Sequence, residues 1–157
     1  PGLPLPAFLH GGGQEGNFRS GTENVPGICG FGAAVAATDA AADIAKMARL
    51  RDLARAILPE VPGLVLIGKQ EAPHIVNLAL PGVRSQGIIN CLQSEGIYVS
   101  AGSACAKGHR SHVLEAMKLP AAVIDGSVRV SFSAENEEGD VYALRDALLK
   151  AKATLKG

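Results

Sequence analysis

The sequence predicts an α/β fold, in which a small domain of the α+β type follows a long linking helix. Between residues 28 and 58, apolar residues recur at helical spacing and alanines fill many of the other positions. Beyond Pro59, short runs rich in branched apolar residues alternate with helical patterns. The predicted order is therefore one long helix followed by β-β-α-β-α-β-α.

These patterns divide the chain into three parts. Residues 1–27 are rich in glycine and proline and show no periodicity, which predicts a loop or an arm. Residues 28–58 predict one long helix, with a kink, if any, at Gly30 to Gly32. At 1.5 Å per residue this helix would extend roughly 45 Å, a length suited to joining two domains, although a plain core helix fits the pattern equally well. Residues 59–157 predict the small C-terminal domain.

The elements of the small domain follow in order. The runs LVLIG and HIVNLAL predict two strands, and the run GIINCLQSEG predicts a helix that ends at Gly96. IYVSAG predicts a short third strand. Ser111 predicts the N-cap of the next helix, with Glu115 in its first turns, where the helix dipole favours an acid. GSVRVSFS alternates apolar and polar residues, as a half-buried strand does, and the last helix begins near Glu137.

Composition excludes several classes of function. The 157 residues carry 15 basic and 15 acidic side chains, which argues against nucleic acid and anionic membranes as partners. The most apolar stretch, residues 28–45, is interrupted by Asp39 and Asp43, which argues against a membrane span. Three widely spaced cysteines do not form a disulfide framework and favour a reducing compartment, so we expect a cytoplasmic protein.

Two glycine patterns near the start resemble nucleotide-binding motifs but fail in detail. GGGQEG has dinucleotide spacing without the flanking strand and helix, and GNFRSGT lacks the P-loop lysine. What remains is a glycine-rich loop with the guanidinium of Arg19 and the hydroxyls of Ser20 and Thr22. These groups suit a phosphate or a carboxylate. An irregular surface loop is the commoner outcome of such a composition.

The three cysteines lie in different contexts. Cys29 and Cys91 occur in apolar helical patterns, which predicts that both serve in packing. Cys105 lies among small residues, and the basic residues that follow it favour its thiolate: Lys107, His109 and Arg110. A solvated basic loop is an equally good interpretation of those three residues.

Two further side chains have alternatives. A metal site at Cys105, His109 and His112 matches no common zinc spacing and lacks a fourth ligand, so we predict no metal. Arg129, on the polar side of its strand, is either an exposed charge or a bidentate clamp for a carboxylate.

Three segments, in order, resemble the C-terminal portion of the NifS/IscS-like cysteine desulfurases. They are HGGGQEGNFRSGTENVPGICGFGAA, PHIVNLALPGVRSQGIINCLQSEGIYVSAGSACAKGHRSHVLEAM and GSVRVSFSAENEEGDV. These enzymes belong to the class V aminotransferase family and have the fold type I of pyridoxal-phosphate enzymes. The resemblance spans nearly the whole chain and implies the C-terminal small domain of such an enzyme.

The resemblance also implies roles for individual residues. Pyridoxal 5'-phosphate binds the amino group of L-cysteine, and a thiolate at the position of Cys105 takes the sulfur as a persulfide. Arg129 matches the arginine that holds the substrate carboxylate. Thr22 matches the residue that contacts the cofactor phosphate of the other subunit in a homodimer, with Arg19 and Ser20 as neighbours. The sulfur acceptor would be a protein such as an iron–sulfur scaffold.

The family's cofactor lysine, in a histidine-lysine segment, has no counterpart in this sequence. Because the protein must hold and tune the cofactor, we expect this chain alone to be inactive. The start without methionine suggests a processed or truncated piece. Two other functions stay open: a selenocysteine lyase or another class V enzyme, and a non-enzymatic module that carries sulfur or docks on a partner.

Overall fold

The computed structural model describes residues 5–69, 71–101 and 110–155. The helices in this part of the chain are α1 (Val25–Ala37), α2 (Ala40–Ile57), α3 (Ser85–Ser94), α4 (His112–Ala116), α5 (Ala121–Asp125) and α6 (Glu138–Thr154). A single 3-10 turn, Leu58–Glu60, follows α2 directly. The strands are β1 (Val65–Leu66), β2 (Ile75–Ala79) and β3 (Ser127–Ser131).

The prediction of one long helix over residues 28–58 is wrong, because α1 and α2 are separate helices. Thr38, the C-cap of α1, has extended backbone angles, and its hydroxyl donates to the carbonyl of Ala34 at 2.9 Å. Threonine and aspartate favour helix ends over helix interiors, which explains a break at Thr38 and Asp39 rather than at the glycines. The chain divides into two units at the same point, residues 1–39 and 40–157, and not at residues 27 and 58.

Helix α2 belongs to the second unit, where it packs as a core helix. Leu50, Ala54 and Ile57 recur on one face and are buried, and Leu58 in the following turn is fully buried. The alternative of a plain core helix is therefore correct for this part of the predicted linker.

Strands β1, β2 and β3 form an antiparallel sheet in that order. The register places Ala79 opposite Ser127, Leu78 opposite Val128 and Asn77 opposite Arg129. Since side chains of directly paired residues share a face, Asn77, Ala79, Ser127 and Arg129 lie on one face of the sheet.

Each face of the sheet is covered differently. The first face carries Val76, Leu78, Val128 and Val130, on the side opposite to Arg129. These side chains are buried together with residues of α2, α3 and α6 and form the main core with them. On the second face, which carries Asn77 and Arg129, a small cluster covers the end that contains Ala79. It includes Ile67, which follows β1, Leu114 from α4 and Ile124 from α5. Elsewhere on the second face, Arg129 and Ser131 are exposed, and Ile75 and Asn77 are half-buried.

Several predicted ends and caps are confirmed. Gly96 has φ +77°, and the N–H groups of Gly96 and Ile97 donate to the carbonyls of Gln93 and Leu92 at 3.0 and 2.9 Å, a Schellman ending of α3. Ser111 is the N-cap of α4, although its side chain makes no capping hydrogen bond. Glu137 is the N-cap of α6 and forms a capping box with Asp140.

Two predicted features differ. IYVSAG forms no strand within the described residues and contributes only a bridge between Ser100 and Arg129. Helix α5 was not predicted. It leads to Gly126, where any side chain would collide with the carbonyl oxygen of Leu80 and would approach that of Val83 to 2.8 Å. No single helix in the described part of the chain is long and apolar enough to cross a membrane, although α1 and Ala40–Glu60 would pass that test together as a broken pair.

Candidate functional site

The glycine-rich loop of the first unit closes on itself through its backbone. Leu9 and Arg19 form a parallel bridge, the N–H of Phe8 donates to the carbonyl of Phe18 at 2.7 Å, and the N–H of Ser20 donates to the carbonyl of Leu9 at 3.0 Å. The rings of Phe8 and Phe18 stack with centroids 6.5 Å apart. The loop is thus an ordered Ω-type loop rather than an irregular one.

Arg19 and Ser20 both contribute to the shape of this loop. Nη1 of Arg19 donates to the carbonyls of Gly21 and Thr22 at 3.1 and 3.0 Å. Ser20 is only 8% exposed, and its Oγ accepts from the N–H of Gly13 at 3.3 Å. These contacts hold the backbone on either side of the Thr22 side chain, which is exposed. That Arg19 and Ser20 lie beside a cofactor phosphate stays a prediction.

Thr22 lies three positions before the first residue of α1. Asn24 caps this helix, since its Oδ1 accepts from the N–H of Gly27 at 3.1 Å. The N-terminus of a helix carries partial positive charge, so an anion near Thr22 would be favoured. The loop therefore presents a hydroxyl in surroundings that suit the phosphate predicted there.

Arg129 lies in the middle of β3, between two backbone neighbours. Its N–H donates to the carbonyl of Ser100 at 2.7 Å, and the N–H of Ser100 donates back to the carbonyl of Arg129 at 3.1 Å. On the other side, Arg129 is paired with Asn77. The side chain is exposed on the uncovered part of the second face of the sheet. A guanidinium placed there is accessible to a carboxylate from solvent.

Cys105 lies outside the described residues, as do Lys107 and His109. Cys105 is five positions after Ser100 along the chain. We call residues 101–109 the Cys105 segment. Because Ser100, which precedes it, is hydrogen-bonded to Arg129, this segment starts beside the predicted carboxylate-binding arginine.

Arg110 was predicted to favour the Cys105 thiolate, but the structure gives it a partner that the sequence did not indicate. Its Nε and Nη2 donate to Oδ1 and Oδ2 of Asp125 at 2.6 and 2.7 Å. The hydrogen bond and the charge of Asp125 raise the pKa of Arg110, and the hydrogen bond from Arg110 lowers the pKa of Asp125. The charge of Arg110 is thus already matched by a carboxylate.

The packing prediction fails for Cys29. Helix α1 buries no residue, and Cys29 is exposed, whereas Cys91 is half-buried on α3 as a packing residue would be. His112 is exposed, and no group of three metal-binding side chains occurs among residues 5–69, 71–101 and 110–155.

A cleft of about 310 Å³ lies between residues 96–99, the end of β3 and the start of α6. Two of its lining side chains are Asn136 and Asp140. Oδ2 of Asp140 accepts hydrogen bonds from Nδ2 of Asn136 at 2.9 Å and from the N–H of Glu137 at 3.1 Å. These hydrogen bonds hold the pKa of Asp140 below its ordinary value. Because both groups serve the helix cap, the cleft does not offer convergent ligands, and we do not place the site there.

Solved structures share this arrangement of elements. A NifS-like protein matches with a TM-score of 0.82 at 31% identity, over 98% of this chain and 40% of its own. The cysteine desulfurase CsdA of Escherichia coli, in an S-sulfonic acid form, matches with a TM-score of 0.71 at 27% identity, over 90% of this chain and 34% of its own. The chain therefore has the fold of part of a NifS-like protein.

Sequence comparisons agree with this likeness. The family model "Aminotransferase class-V" matches residues 9–144. A cysteine desulfurase of Gluconacetobacter diazotrophicus is 36% identical over 94% of this chain and 38% of its own length, and the cysteine desulfurase IscS of Clostridium botulinum is 35% identical over 95% and 40%. The chain belongs to the class-V aminotransferase family. It spans about 40% of the length of these curated relatives.

Proposed function

We propose that this chain is the C-terminal portion of a pyridoxal-phosphate-dependent cysteine desulfurase, which converts L-cysteine to L-alanine and keeps the sulfur as a persulfide on Cys105. Relatives named cysteine desulfurase match over 94% and 95% of the chain. The three sequence motifs that resemble this group contain Thr22, Cys105 and Arg129.

One structural observation carries the proposal. The main-chain pair between Ser100 and Arg129 places the start of the Cys105 segment against the strand that presents Arg129. In a desulfurase, the thiolate must reach the sulfur of a substrate whose carboxylate is held elsewhere. Arginine suits that second role because its planar fork can donate two parallel hydrogen bonds to a carboxylate.

The proposed step conserves atoms and electrons without an external oxidant. The thiolate of Cys105 attacks the sulfur of L-cysteine, so an S–S bond forms while the C–S bond of the substrate breaks. The electron pair of the broken bond stays on the substrate carbon, which takes a proton and becomes the methyl group of alanine. Cys105 retains the sulfur as a persulfide, ready for transfer to an acceptor thiol.

Pyridoxal phosphate supplies the electron sink for this chemistry when it is bound. The chain offers the Thr22 hydroxyl for its phosphate, but the sequence has no counterpart of the family's cofactor lysine in a histidine-lysine segment. Lys46, Lys69 and Lys150 form ion pairs with carboxylates of their own unit, at 2.7, 3.9 and 2.9 Å. In this proposal the Schiff-base lysine comes from outside this chain, and the isolated chain is inactive.

The same proposal covers the location of the protein, its oligomeric state and the sulfur acceptor. The protein is a cytoplasmic homodimer, in which Thr22 of one subunit serves the cofactor phosphate of the other. The persulfide is passed to a protein acceptor such as an iron–sulfur scaffold.

The direct test replaces Cys105 by serine in the full-length, cofactor-loaded protein. Alanine production from L-cysteine is expected to fall at least 100-fold, and mass spectrometry of the wild-type protein is expected to find the added sulfur on Cys105. The matched controls are Cys29→Ser and Cys91→Ser, each of which should retain wild-type turnover. A persulfide on either of these cysteines, or full activity in Cys105→Ser, would overturn the proposal.

A second experiment tests carboxylate binding by Arg129. Arg129→Lys keeps the positive charge but loses the fork, so we expect KM for L-cysteine to rise about tenfold, the equivalent of one bidentate hydrogen bond.

A third experiment distinguishes a cysteine desulfurase from the two alternative functions. Turnover of selenocysteine is compared with that of cysteine in the same protein. Turnover confined to selenocysteine identifies a selenocysteine lyase, and sulfur on Cys105 that arrives only from a donor enzyme identifies a carrier module.

A further inference from the structure

Arg110 and Asp125 form a bidentate ion pair just after the Cys105 segment along the chain. Arg110 is five positions after Cys105, and Asp125 is the last residue of α5. Both donors of one edge of the guanidinium are used, Nε on Oδ1 at 2.6 Å and Nη2 on Oδ2 at 2.7 Å. Such a two-point contact fixes direction as well as distance.

Both helices that follow Arg110 are packed on the sheet. Helix α4, which begins two positions later, has only five residues and an N-cap, Ser111, without a side-chain capping hydrogen bond, and it is held through the buried Leu114. Helix α5 is held through Ile124, which is buried in the same cluster. The ion pair therefore adds a contact to α5 four positions before the first buried residue of α4.

The opposite end of the segment is also attached to the sheet. Ser100 exchanges two backbone hydrogen bonds with Arg129. Cys105 is five positions from Ser100 and five from Arg110, so the two attachment points are equally distant from the thiol along the chain.

We propose that Arg110 and Asp125 are positioning residues, which attach the chain directly after the Cys105 segment to α5 and thereby support sulfur transfer to Cys105. This inference rests on the proposed function of Cys105. Neither residue touches the reacting atoms; they act through the chain between Arg110 and Cys105.

The charges around the pair are consistent with this role. Glu115, on α4, faces Arg110, and Arg84, just before α3, faces Asp125, so each partner has a further opposite charge nearby. The two side chains of the pair remain 48% and 44% exposed. Exposed ion pairs contribute little to global stability, so loss of this pair should release the local attachment without unfolding the domain.

The first measurement needs neither cofactor nor substrate. Trypsin cleaves after Arg110 only when the guanidinium enters the protease, and Asp125 competes for the same group. Asp125→Asn keeps the shape of the side chain and should accelerate cleavage after Arg110 at least threefold relative to wild type. The matched control is Glu95→Gln, which removes a similar surface ion pair with Lys150 (2.9 Å) and should leave that rate unchanged. Equal cleavage rates in wild type and Asp125→Asn would overturn the anchoring.

The second measurement uses the full-length, cofactor-loaded protein. Asp125→Asn should slow persulfide formation on Cys105 about five- to tenfold with KM for L-cysteine unchanged, since Arg129 is untouched, and with the melting temperature within about 2 °C of wild type. Asp125→Glu, and the exchange Arg110→Asp with Asp125→Arg, should each restore at least half of the lost rate. A rise in KM together with a lower melting temperature, or no recovery in either restoring variant, would contradict a positioning role.

These two measurements separate the inference from the proposed function. If wild-type Cys105 never acquires sulfur, the proposed function fails, while the trypsin rates still report whether the pair anchors the segment. If the persulfide forms normally in both wild type and Asp125→Asn, the proposed function holds and the positioning role is overturned.

Discussion

The two units of this chain are stabilised in different ways. In residues 40–157, side chains from α2, α3 and α6 pack against one face of the sheet and form a core that includes Leu78, Leu92 and Leu148, all fully buried. In residues 1–39, the glycine-rich loop is closed by backbone hydrogen bonds, and α1 buries no side chain. Apolar composition therefore predicts burial in the second unit but not in the first.

Helix α1 makes this difference clearest. Its sequence is strongly apolar, yet Phe31 is 74% exposed, and Ile28 and Val35 are exposed as well. Nothing in the described part of the chain covers these side chains. Helix α2 is less apolar, but its Leu50, Ala54 and Ile57 recur on one face and are buried, so apolar content alone does not predict burial in these adjacent helices.

The largest expected effect tests that difference directly. Leu78→Ala, in β2, removes a fully buried side chain and should lower the free energy of unfolding of the second unit by about 2–5 kcal/mol. Phe31→Ala, in α1, removes a larger side chain that is mostly exposed and should cost less than about 0.5 kcal/mol. Urea unfolding followed by circular dichroism measures both. A loss in Phe31→Ala comparable to that in Leu78→Ala would refute the contrast.

Most of the second unit could be predicted because its elements follow local rules. Strand β2 is a short run of branched apolar residues, β3 has the alternation of a half-buried strand, Gly96 ends α3, and Glu137 begins α6 as expected. The break at Thr38 and α5 were missed. A two-residue break within an apolar, alanine-rich run and a five-residue helix are both too short for periodicity to reveal.

The site could be predicted only in part. Arg129 follows from its place on the polar side of a strand, but its pairing with Ser100 depends on how the chain returns to the sheet. Local chemistry allowed Cys105 to be either a nucleophile or part of a solvated loop, and only the resemblance to a family favoured the nucleophile. The pair of Arg110 with Asp125 joins residues 15 positions apart, which no local pattern indicates.

A smaller effect concerns the cap of α6, in the packed unit. Hydrogen bonds from Asn136 and from the N–H of Glu137 hold the pKa of Asp140 below its ordinary value. Its carboxylate therefore stabilises the fold fully above the ordinary carboxyl range near pH 4, and this stabilisation is lost as the pH falls through the lowered pKa. Asp140→Ala should cost about 1 kcal/mol at pH 7 and progressively less below pH 4.

Thermal unfolding of wild type and Asp140→Ala from pH 7 to pH 2 measures this convergence. Glu138→Ala is the matched control, because Glu138 lies in the same helical turn without serving the capping box. A difference between wild type and Asp140→Ala that stays constant across this pH range would show that the carboxylate charge has no part in the cap.

The smallest effect concerns the corresponding cap in the first unit. Asn24→Ala removes the acceptor for the N–H of Gly27 and should weaken α1 locally by about 0.5–1 kcal/mol. Because α1 buries no side chain, this loss should appear as faster amide hydrogen exchange in residues 27–37, with the melting temperature of the second unit unchanged. Glu23→Ala is the control. A melting temperature lowered as much as in Asp140→Ala would mean that the two units unfold together, and the stability of α1 would then depend on the packed core.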